Sequence, residues 1–332
     1  MGRTEEDLHD ALLERVARRY FVHGMLQNDI AAAEHLSRPS VSRLLAEARA
    51  RGVVQFKIGP PVDRVRELEE ELRRRTGLRR CVVATNKPRA LYGNTSRLGY
   101  VAARYLEAQL AQAHILGVAS SRSLSSVADS MAAGRRPDLE VVDLLGCLPG
   151  GRSADGGWPG EGKTAEGSGP NTAQLIAVRL DAMFRPLPAA FVYRSGPARD
   201  AALDSEQVRE SLELGRRSDV ALVGVGSMQR FDGTGVYSPV PARELDELAG
   251  RGAAGHLCGH FLRADGSLVE AEDGPFLLGI GADELRQIPQ RIAVAAGRHK
   301  VAPIAAGISG GMISELITDH ATAAELVLLP AP

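Results

Sequence analysis

The first fifty residues have the hydrophobic spacing of three short helices. Apolar side chains recur every three or four positions, which is the period of an amphipathic helix. A second helix is predicted over residues 28–35, and a third begins after Ser37, because serine is a preferred N-cap and Pro39 is tolerated in the first turn. The apolar face of the first helix is Leu8, Leu12, Val16 and Tyr20. That of the third is Val41, Leu44, Leu45 and Ala48.

These helices and the apolar run 53–58, which predicts a short strand, are typical of a winged helix-turn-helix. The third helix of such a unit enters the DNA major groove, with its N-terminal residues near the base edges. The candidate DNA-binding residues are therefore Arg38, Ser40, Ser42 and Arg43. An amphipathic surface helix that binds no DNA fits the same pattern. The turn also departs from the usual motif, since Glu34 and His35 stand where a small residue is common.

Residues 60–79 follow a Gly-Pro-Pro break and are predicted to form a linker or dimerisation helix. Val65, Leu68 and Leu72 lie on one narrow stripe, which suits a helix that pairs with another helix. A connector that packs on its own domain is an equally good interpretation of the same stripe.

From residue 80 onward, short apolar runs alternate with helical segments, which predicts a parallel sheet covered by helices on both faces. We therefore expect an α/β chain with a winged helix-turn-helix over residues 1–59 and a large doubly wound domain over 80–332. The predicted strands are 81–84, 114–118, 140–145, 189–193, 219–225, 291–295 and 314–318. The clearest predicted helices are 98–110, 124–131, 173–183 and 205–215.

Ligands of such folds bind at the carboxyl ends of the strands, where two informative loops fall. Hydroxyl groups and an arginine at a helix N-terminus suit a phosphate or another anion, although the same cluster is consistent with helix capping and no ligand. Lys300 follows a glycine turn after another strand and is a candidate ligand, while a solvated surface lysine is the alternative. The residues of the first loop are Ser120, Ser121, Arg122 and Ser123. Gly224 belongs to a second glycine-rich strand end, which lacks dinucleotide-binding spacing.

Composition excludes several classes of protein. Hydrophobic residues make up 44% and charged residues 24% of the 332 residues, which is typical of a globular chain. The net charge of −1 indicates no nucleic-acid binding for the chain as a whole, although a large acidic domain can dilute a small DNA-binding unit. The acidic N-terminus and the absence of a long apolar run predict a cytoplasmic protein that no membrane holds. The three cysteines, Cys81, Cys147 and Cys258, are too far apart in sequence for a disulfide framework or a clustered metal site.

Two groups of motifs resemble the SorC family of sugar-responsive transcriptional regulators. IAAAEHLSRPSVSRLLAEARARGVVQFKI is similar to the family's DNA-binding segment, and the resemblance extends over residues 80–328. The matching runs there are LGVASSRSL, DVALVGVGS, GHLCGHFLRADGSLV, LLGIGADELRQIP, IAVAAGRHKVAPIAAGISGG and LITDHATAAELVL.

The resemblance implies a DNA-binding regulator of a carbohydrate-utilisation operon, whose large domain is similar to sugar-phosphate isomerases without being an enzyme. It implies double-stranded operator DNA and a sugar or sugar phosphate as partners, and a homodimer or homotetramer. No cofactor and no metal ion are expected, and repression is the working expectation. By resemblance, the loop 120–123 and Lys300 contact the effector's phosphate.

Two positions depart from the family pattern. Ser120 and Ser121 replace a tryptophan-glycine pair, and His256 stands where the family often has an acidic residue. His256 is included among the candidate effector-binding residues, but an imidazole prefers different partners from a carboxylate. This indicates either an atypical effector or recognition of the sugar hydroxyls by other residues. The alternatives are an isomerase-like enzyme and a DNA-binding architectural protein without a ligand. An enzyme requires a positioned general base, and the candidate bases Asp143, His256 and His260 have no recognisable spacing.

Overall fold

The chain forms two compact units in this computed structural model, residues 1–61 and 62–332. The structure describes residues 5–21, 25–54, 64–85, 94–147, 172–228, 240, 242–269 and 274–330. Most of the predicted wing strand over 53–58 lies outside these ranges, as do residues 86–93.

Three helices form the first unit, as the hydrophobic spacing predicts. Ser37 is the N-cap of the third helix, where its Oγ accepts the backbone N–H of Ser40 at 3.2 Å. The helices are α1 (Glu5–Phe21), α2 (Gln27–Ala33) and α3 (Arg38–Ala50). One core joins them, and its buried members include Leu13, Val16, Ile30, Val41, Leu44, Leu45 and Ala48.

The turn between α2 and α3 shows why it lacks the usual small residues. Glu34 accepts ion pairs from Arg15 at 3.3 Å and Arg19 at 3.0 Å, both on α1. His35 adopts a φ of 54°, a left-handed conformation that favours glycine and is uncommon for other residues. The acidic residue therefore holds α1 against the turn, and the histidine makes the bend.

A parallel sheet forms the centre of the second unit. The strands are β1 (Arg80–Ala84), β2 (Ile115–Ala119), β3 (Glu140–Asp143), β4 (Met183–Arg185), β5 (Val192–Tyr193), β6 (Val220–Ser227), β7 (Gly255–Leu257), β8 (His260–Leu262), β9 (Phe276–Leu277), β10 (Gln290–Val294) and β11 (Glu315–Asp319). The parallel order is β1-β11-β10-β6-β2-β3-β4. A β7–β8 hairpin extends antiparallel from the end of β6.

Helices cover both faces of this sheet, as expected for a doubly wound fold. Side chains of successive residues on a strand pack into separate hydrophobic cores. Val82 and Leu222 belong to one core, and Val83 and Val223 belong to the other. The helices are α4 (Arg66–Thr76), α5 (Asn94–Gln109), α6 (Arg122–Ser130), α7 (Thr172–Leu180), α8 (Gly196–Leu203), α9 (Glu206–Arg216), α10 (Ala242–Gly250), α11 (Ala282–Gln287), α12 (Val301–Ser309) and α13 (His320–Leu328). Short 3₁₀ turns span Leu110–Gln112 and Arg298–Lys300. Within the described ranges, no helix has the length and apolarity needed to cross a bilayer.

The predicted linker helix is part of the second unit. Leu72 of α4 is fully buried in the sheet core, and Val65 and Leu68 pack against it. Arg75 also donates to the Val327 carbonyl of α13. The apolar stripe is therefore used within its own unit, which favours the packed connector over a dimerisation helix.

Two predicted boundaries differ from the structure. Residues 189–193 were expected in the parallel sheet, but β5 covers only Val192–Tyr193 and pairs antiparallel with β9. Met183 was expected at a helix end, but α7 ends at Leu180 and Met183 begins β4. Short apolar runs have no period long enough to distinguish these alternatives.

The strand order places a topological switch point between β2 and β6. From β2 the chain continues to β3 and β4 on one side, whereas from β6 it continues to β10 and β11 on the other. A crevice for ligands opens outside the carboxyl ends of strands at such a point.

Candidate functional site

Two predicted site segments meet at the switch point. Ala119 pairs with Val223 in the register of β2 and β6, so the residues that follow them lie side by side. A Cβ atom at position 224 would overlap the Ser121 side chain. Glycine at Gly224 therefore permits the close approach of the two strand ends.

The hydroxyl groups of Ser120 and Ser121 are buried, and neither has a hydrogen-bond partner in the part of the chain that the structure describes. Ser121 occupies the N-cap position of α6, yet its side chain makes no capping hydrogen bond. Ser126, further along the helix, does bond a backbone carbonyl at 2.8 Å. Capping therefore does not account for the first two serines. An unpaired buried polar group destabilises the folded state by about 1–3 kcal/mol. A polar ligand that hydrogen-bonds to these two hydroxyls would therefore be favoured.

Arg122 and Ser123 form the first turn of α6, directly after these serines. The backbone N–H groups of a first turn have no partner within the helix and favour an anion. Ser123 is half-buried, and its carbonyl accepts the Ser126 hydroxyl. The side chain of Arg122 lies outside the described part of the chain.

Lys300 lies in the 3₁₀ turn that follows β10, the strand next to β6. Its Nζ donates a hydrogen bond to the Val225 carbonyl, one residue beyond Gly224. Gly297 begins the turn with a φ of 114°, which only glycine adopts readily. Its N–H donates to Thr322 Oγ1 at 2.7 Å. The turn is therefore held in place, and the lysine ammonium lies at the carboxyl edge of the sheet.

His256 reaches the same edge from the hairpin strand β7, where it pairs with Gly226 of β6. A Cβ atom at position 226 would overlap the imidazole, so this glycine makes room for the ring. Burial, and secondarily the nearby Lys300 ammonium, lower the pKa of His256 to about 4. The ring is therefore neutral at pH 7, with one N–H donor and one nitrogen acceptor.

The structure thus gathers Ser120, Ser121, Gly224, His256 and Lys300 at one edge of the sheet, from four separate segments. Sequence reasoning missed the supporting parts, Gly226 and the Val225 carbonyl. The alternating glycines of the run GVGS are the signal that could have identified them. Hydroxyls, an ammonium and a neutral imidazole together suit an anionic ligand that also carries hydroxyl groups. In the described ranges, no cluster of side chains is suited to hold a metal ion.

Two further hydroxyls at this edge also have no hydrogen-bond partner among the residues that the structure describes. Thr85 follows β1 and Thr318 lies near the end of β11, and both Oγ1 atoms are buried and unpaired. Sequence patterns do not indicate them, because a threonine in a strand ordinarily reflects strand propensity.

The candidate DNA-binding residues lie in the first turns of α3. Arg38, Ser42 and Arg43 are exposed, and in the described ranges neither arginine is in an ion pair. Ser40 also helps to fold the helix, since its Oγ lies 2.8 Å from Ser37 Oγ. By contrast, Arg51 near the end of α3 is engaged by two carboxylates.

Comparisons with known proteins identify the family and relatives of this chain. A family model described as "Putative sugar-binding domain" matches residues 61–328. The transcriptional regulator LsrR of Klebsiella pneumoniae subsp. pneumoniae is 30% identical over 327 residues, which cover 96% of this chain and 94% of that protein. The sorbitol operon regulator of Klebsiella pneumoniae is 28% identical over 320 residues, or 96% of this chain and 97% of that protein.

A solved structure matches almost the whole chain. The crystal structure of the full-length sorbitol operon regulator SorC from Klebsiella pneumoniae matches with a TM-score of 0.67 and 25% identity, covering 96% of this chain and 98% of that chain. Since the family model alone spans most of the chain, the protein belongs to the SorC family of sugar-binding transcriptional regulators.

Proposed function

We propose that the first unit binds double-stranded operator DNA of a carbohydrate-utilisation operon through the N-terminal turns of α3. The residues assigned to this contact are Arg38, Ser40, Ser42 and Arg43. Arg38, Ser42 and Arg43 are exposed, and neither arginine forms an ion pair within the described ranges. This supports the proposal, because base edges and phosphates require donors that are not held by carboxylates of the protein itself.

The effector is a sugar that carries a phosphate, bound at the switch point of the large domain. The unpaired hydroxyls of Ser120 and Ser121 are the observation that carries this part, since they lie at the start of α6 where a phosphate is favoured. Arg122, Ser123 and the Lys300 ammonium complete the phosphate subsite. Gly224 has no side chain, so the ligand can approach the backbone closely there. His256 binds a sugar hydroxyl.

The large domain acts as a sensor and not as an isomerase. A general base is most effective when its pKa lies near the working pH, whereas that of His256 is about 4. The named relatives are regulators, which also supports this assignment.

We further propose that the protein works as a homodimer or homotetramer, because paired DNA readers require two copies. A role on chromosomal DNA places its action in the cytoplasm.

Incubation of the purified protein with a panel of sugar phosphates tests the effector assignment. We expect one member to raise the melting temperature without being consumed. Lys300→Ala should then weaken that ligand by roughly tenfold or more, and leave its unphosphorylated analogue little affected. Arg298→Ala is the matched control, because Arg298 lies in the same turn and pairs with Glu325 at the surface.

Calorimetry separates the outcomes. If Lys300→Ala lost equal affinity for the phosphorylated and unphosphorylated ligands, Lys300 would support the fold and not contact the phosphate. Tight binding of a plain sugar by the parent protein would contradict the phosphate assignment, and turnover would favour the enzyme.

A further inference from the structure

We propose that the open edge of the sheet at β4, together with the end of α7, forms a two-fold contact with a second copy of this chain. The surface is defined here as residues 178–185 and is called the β4 edge. This contact would form the oligomer that the proposed function requires, and it involves neither the candidate DNA-binding residues nor the candidate effector site.

The backbone of β4 is half unpaired. Met183 pairs with Glu140 in register, and its N–H donates to the Leu139 carbonyl at 3.0 Å. Because hydrogen bonding alternates along a parallel pair, the N–H and C=O groups of Phe184 point away from β3. In the described ranges β4 ends the strand order, and no strand pairs with its outer side. One free donor and one free acceptor therefore lie at the middle of the strand.

Apolar side chains accompany this open edge. Val178, in the last turn of α7, is 74% exposed, and Met183 is 53% exposed. In the described part of the second unit, the only other large apolar side chain exposed to this degree is Leu328, at 81%. Single exposed apolar residues are ordinary. Two of them on a helix and the strand it leads into, beside an unpaired strand edge, indicate a covered surface.

The charges around the edge point to a second copy as the covering partner. Arg185 pairs with Glu140 at 2.9 Å, and Arg135 pairs with Asp181 at 3.4 Å. The exposed Arg179 adds one further cation, so the rim carries both signs without a strong excess of either, which suits a surface that meets itself across a two-fold axis. DNA, or a strongly charged protein, would require a rim of one sign.

The backbone pattern is self-complementary in the same way. Two β4 strands placed antiparallel about Phe184 would exchange both hydrogen bonds between the two Phe184 residues. Met183 of one copy then lies opposite Arg185 of the other, with Cα atoms about 4.5 Å apart. Each methionine would be covered by the aliphatic part of an arginine side chain.

The first test introduces like charges into the full-length protein with the double substitution Val178→Lys and Met183→Lys. We expect sedimentation velocity to show a species of half the parent mass, because the lysine at 183 faces Arg185 of the other copy and the lysine at 178 puts a charge in place of an apolar contact. Leu328→Lys is the matched control and should leave the mass unchanged. An unaltered oligomer, a monomeric parent, or an equal shift in the control would overturn the proposal.

A second test does not depend on loss of association. In a Cys147→Ser background, Met183→Cys with Arg185→Cys should yield a disulfide-linked dimer under mild oxidation, since the expected Cα separation lies within the range that a disulfide spans. Arg199→Cys, on exposed α8, is the control for random cross-linking and should remain monomeric on a non-reducing gel. Cross-linking no greater than that of the control would contradict the two-fold register. Operator binding measured on the same variants reports separately on the proposed function.

Discussion

The two units place their functional residues in opposite ways. The candidate DNA-binding residues of the first unit lie on one short helix, and Arg38, Ser42 and Arg43 are exposed there. The candidate effector site of the second unit is assembled from the ends of β2 and β6, the strand β7 and the turn after β10. Its serine hydroxyls are buried. Substitutions on α3 should therefore alter binding without altering the fold, whereas substitutions in the second unit should often change both.

Buried charge gives the largest expected contrast between the units. Glu69 is only 5% exposed, receives a bidentate ion pair from Arg64, and accepts the Val83 N–H. Glu69→Ala should lower the free energy of unfolding of the second unit by about 3 kcal/mol, because it leaves the buried Val83 N–H without its acceptor and removes two charge-assisted hydrogen bonds from Arg64. Glu47→Ala in the first unit should cost much less, since the ion-pair partners of Glu47 are at the surface.

Urea unfolding followed by circular dichroism measures both effects. Glu71→Ala, on the same helix as Glu69 but at the surface, controls for the change in helix propensity. Similar losses of unfolding free energy for Glu69→Ala and Glu47→Ala would contradict the expected difference between the two units.

The pH dependence of stability should also differ between the units. An unfolded histidine takes up a proton below about pH 6.5, whereas His256 in the folded protein does so only near pH 4. The unfolded state therefore binds more protons between these values, and the contribution of His256 to stability is complete above pH 6.5 and lost as the pH falls toward 4. The loss amounts to about 3 kcal/mol.

Burial lowers the pKa of His260 as well, so its contribution has the same sign. Unfolding curves at several pH values between 4.5 and 7.5 measure the combined slope. His256→Gln should make that slope shallower, and an unchanged slope would show that this imidazole is protonated alike in the folded and unfolded states.

Operator affinity gives the smallest expected effect. Arg43→Ala should weaken binding by about 1–3 kcal/mol, because an exposed arginine on α3 loses a contact with a base edge or a phosphate. The melting temperature should not change. Arg18→Ala, an exposed arginine paired with Glu14 on α1, is the control. Anisotropy titrations at several salt concentrations check the result, and equal affinities for the two variants would exclude α3 as the reading helix.

Most of the fold could be predicted from local patterns, with errors of a few residues at element ends. The strands β6, β10 and β11 are short apolar runs bounded by polar or glycine residues, and each was expected close to its observed position. The β7–β8 hairpin was missed because GHLCGH has neither alternation nor a turn pair of the usual kind. There, Cys258 adopts a φ of 49° and forms the turn with Gly259.

The sequence by itself determined the helix faces, the N-cap at Ser37 and the positions of the glycine-rich strand ends. Only the tertiary structure decided that α4 packs on its own sheet, that the Ser121 hydroxyl meets Gly224 instead of capping its helix, and that His256 stays neutral. The physical reason is the sequence separation over which each feature is decided. Helix and strand periods and helix capping arise from backbone geometry within a few residues. Whether a buried hydroxyl finds a partner, or an imidazole is desolvated, depends on residues that only the folded chain brings together.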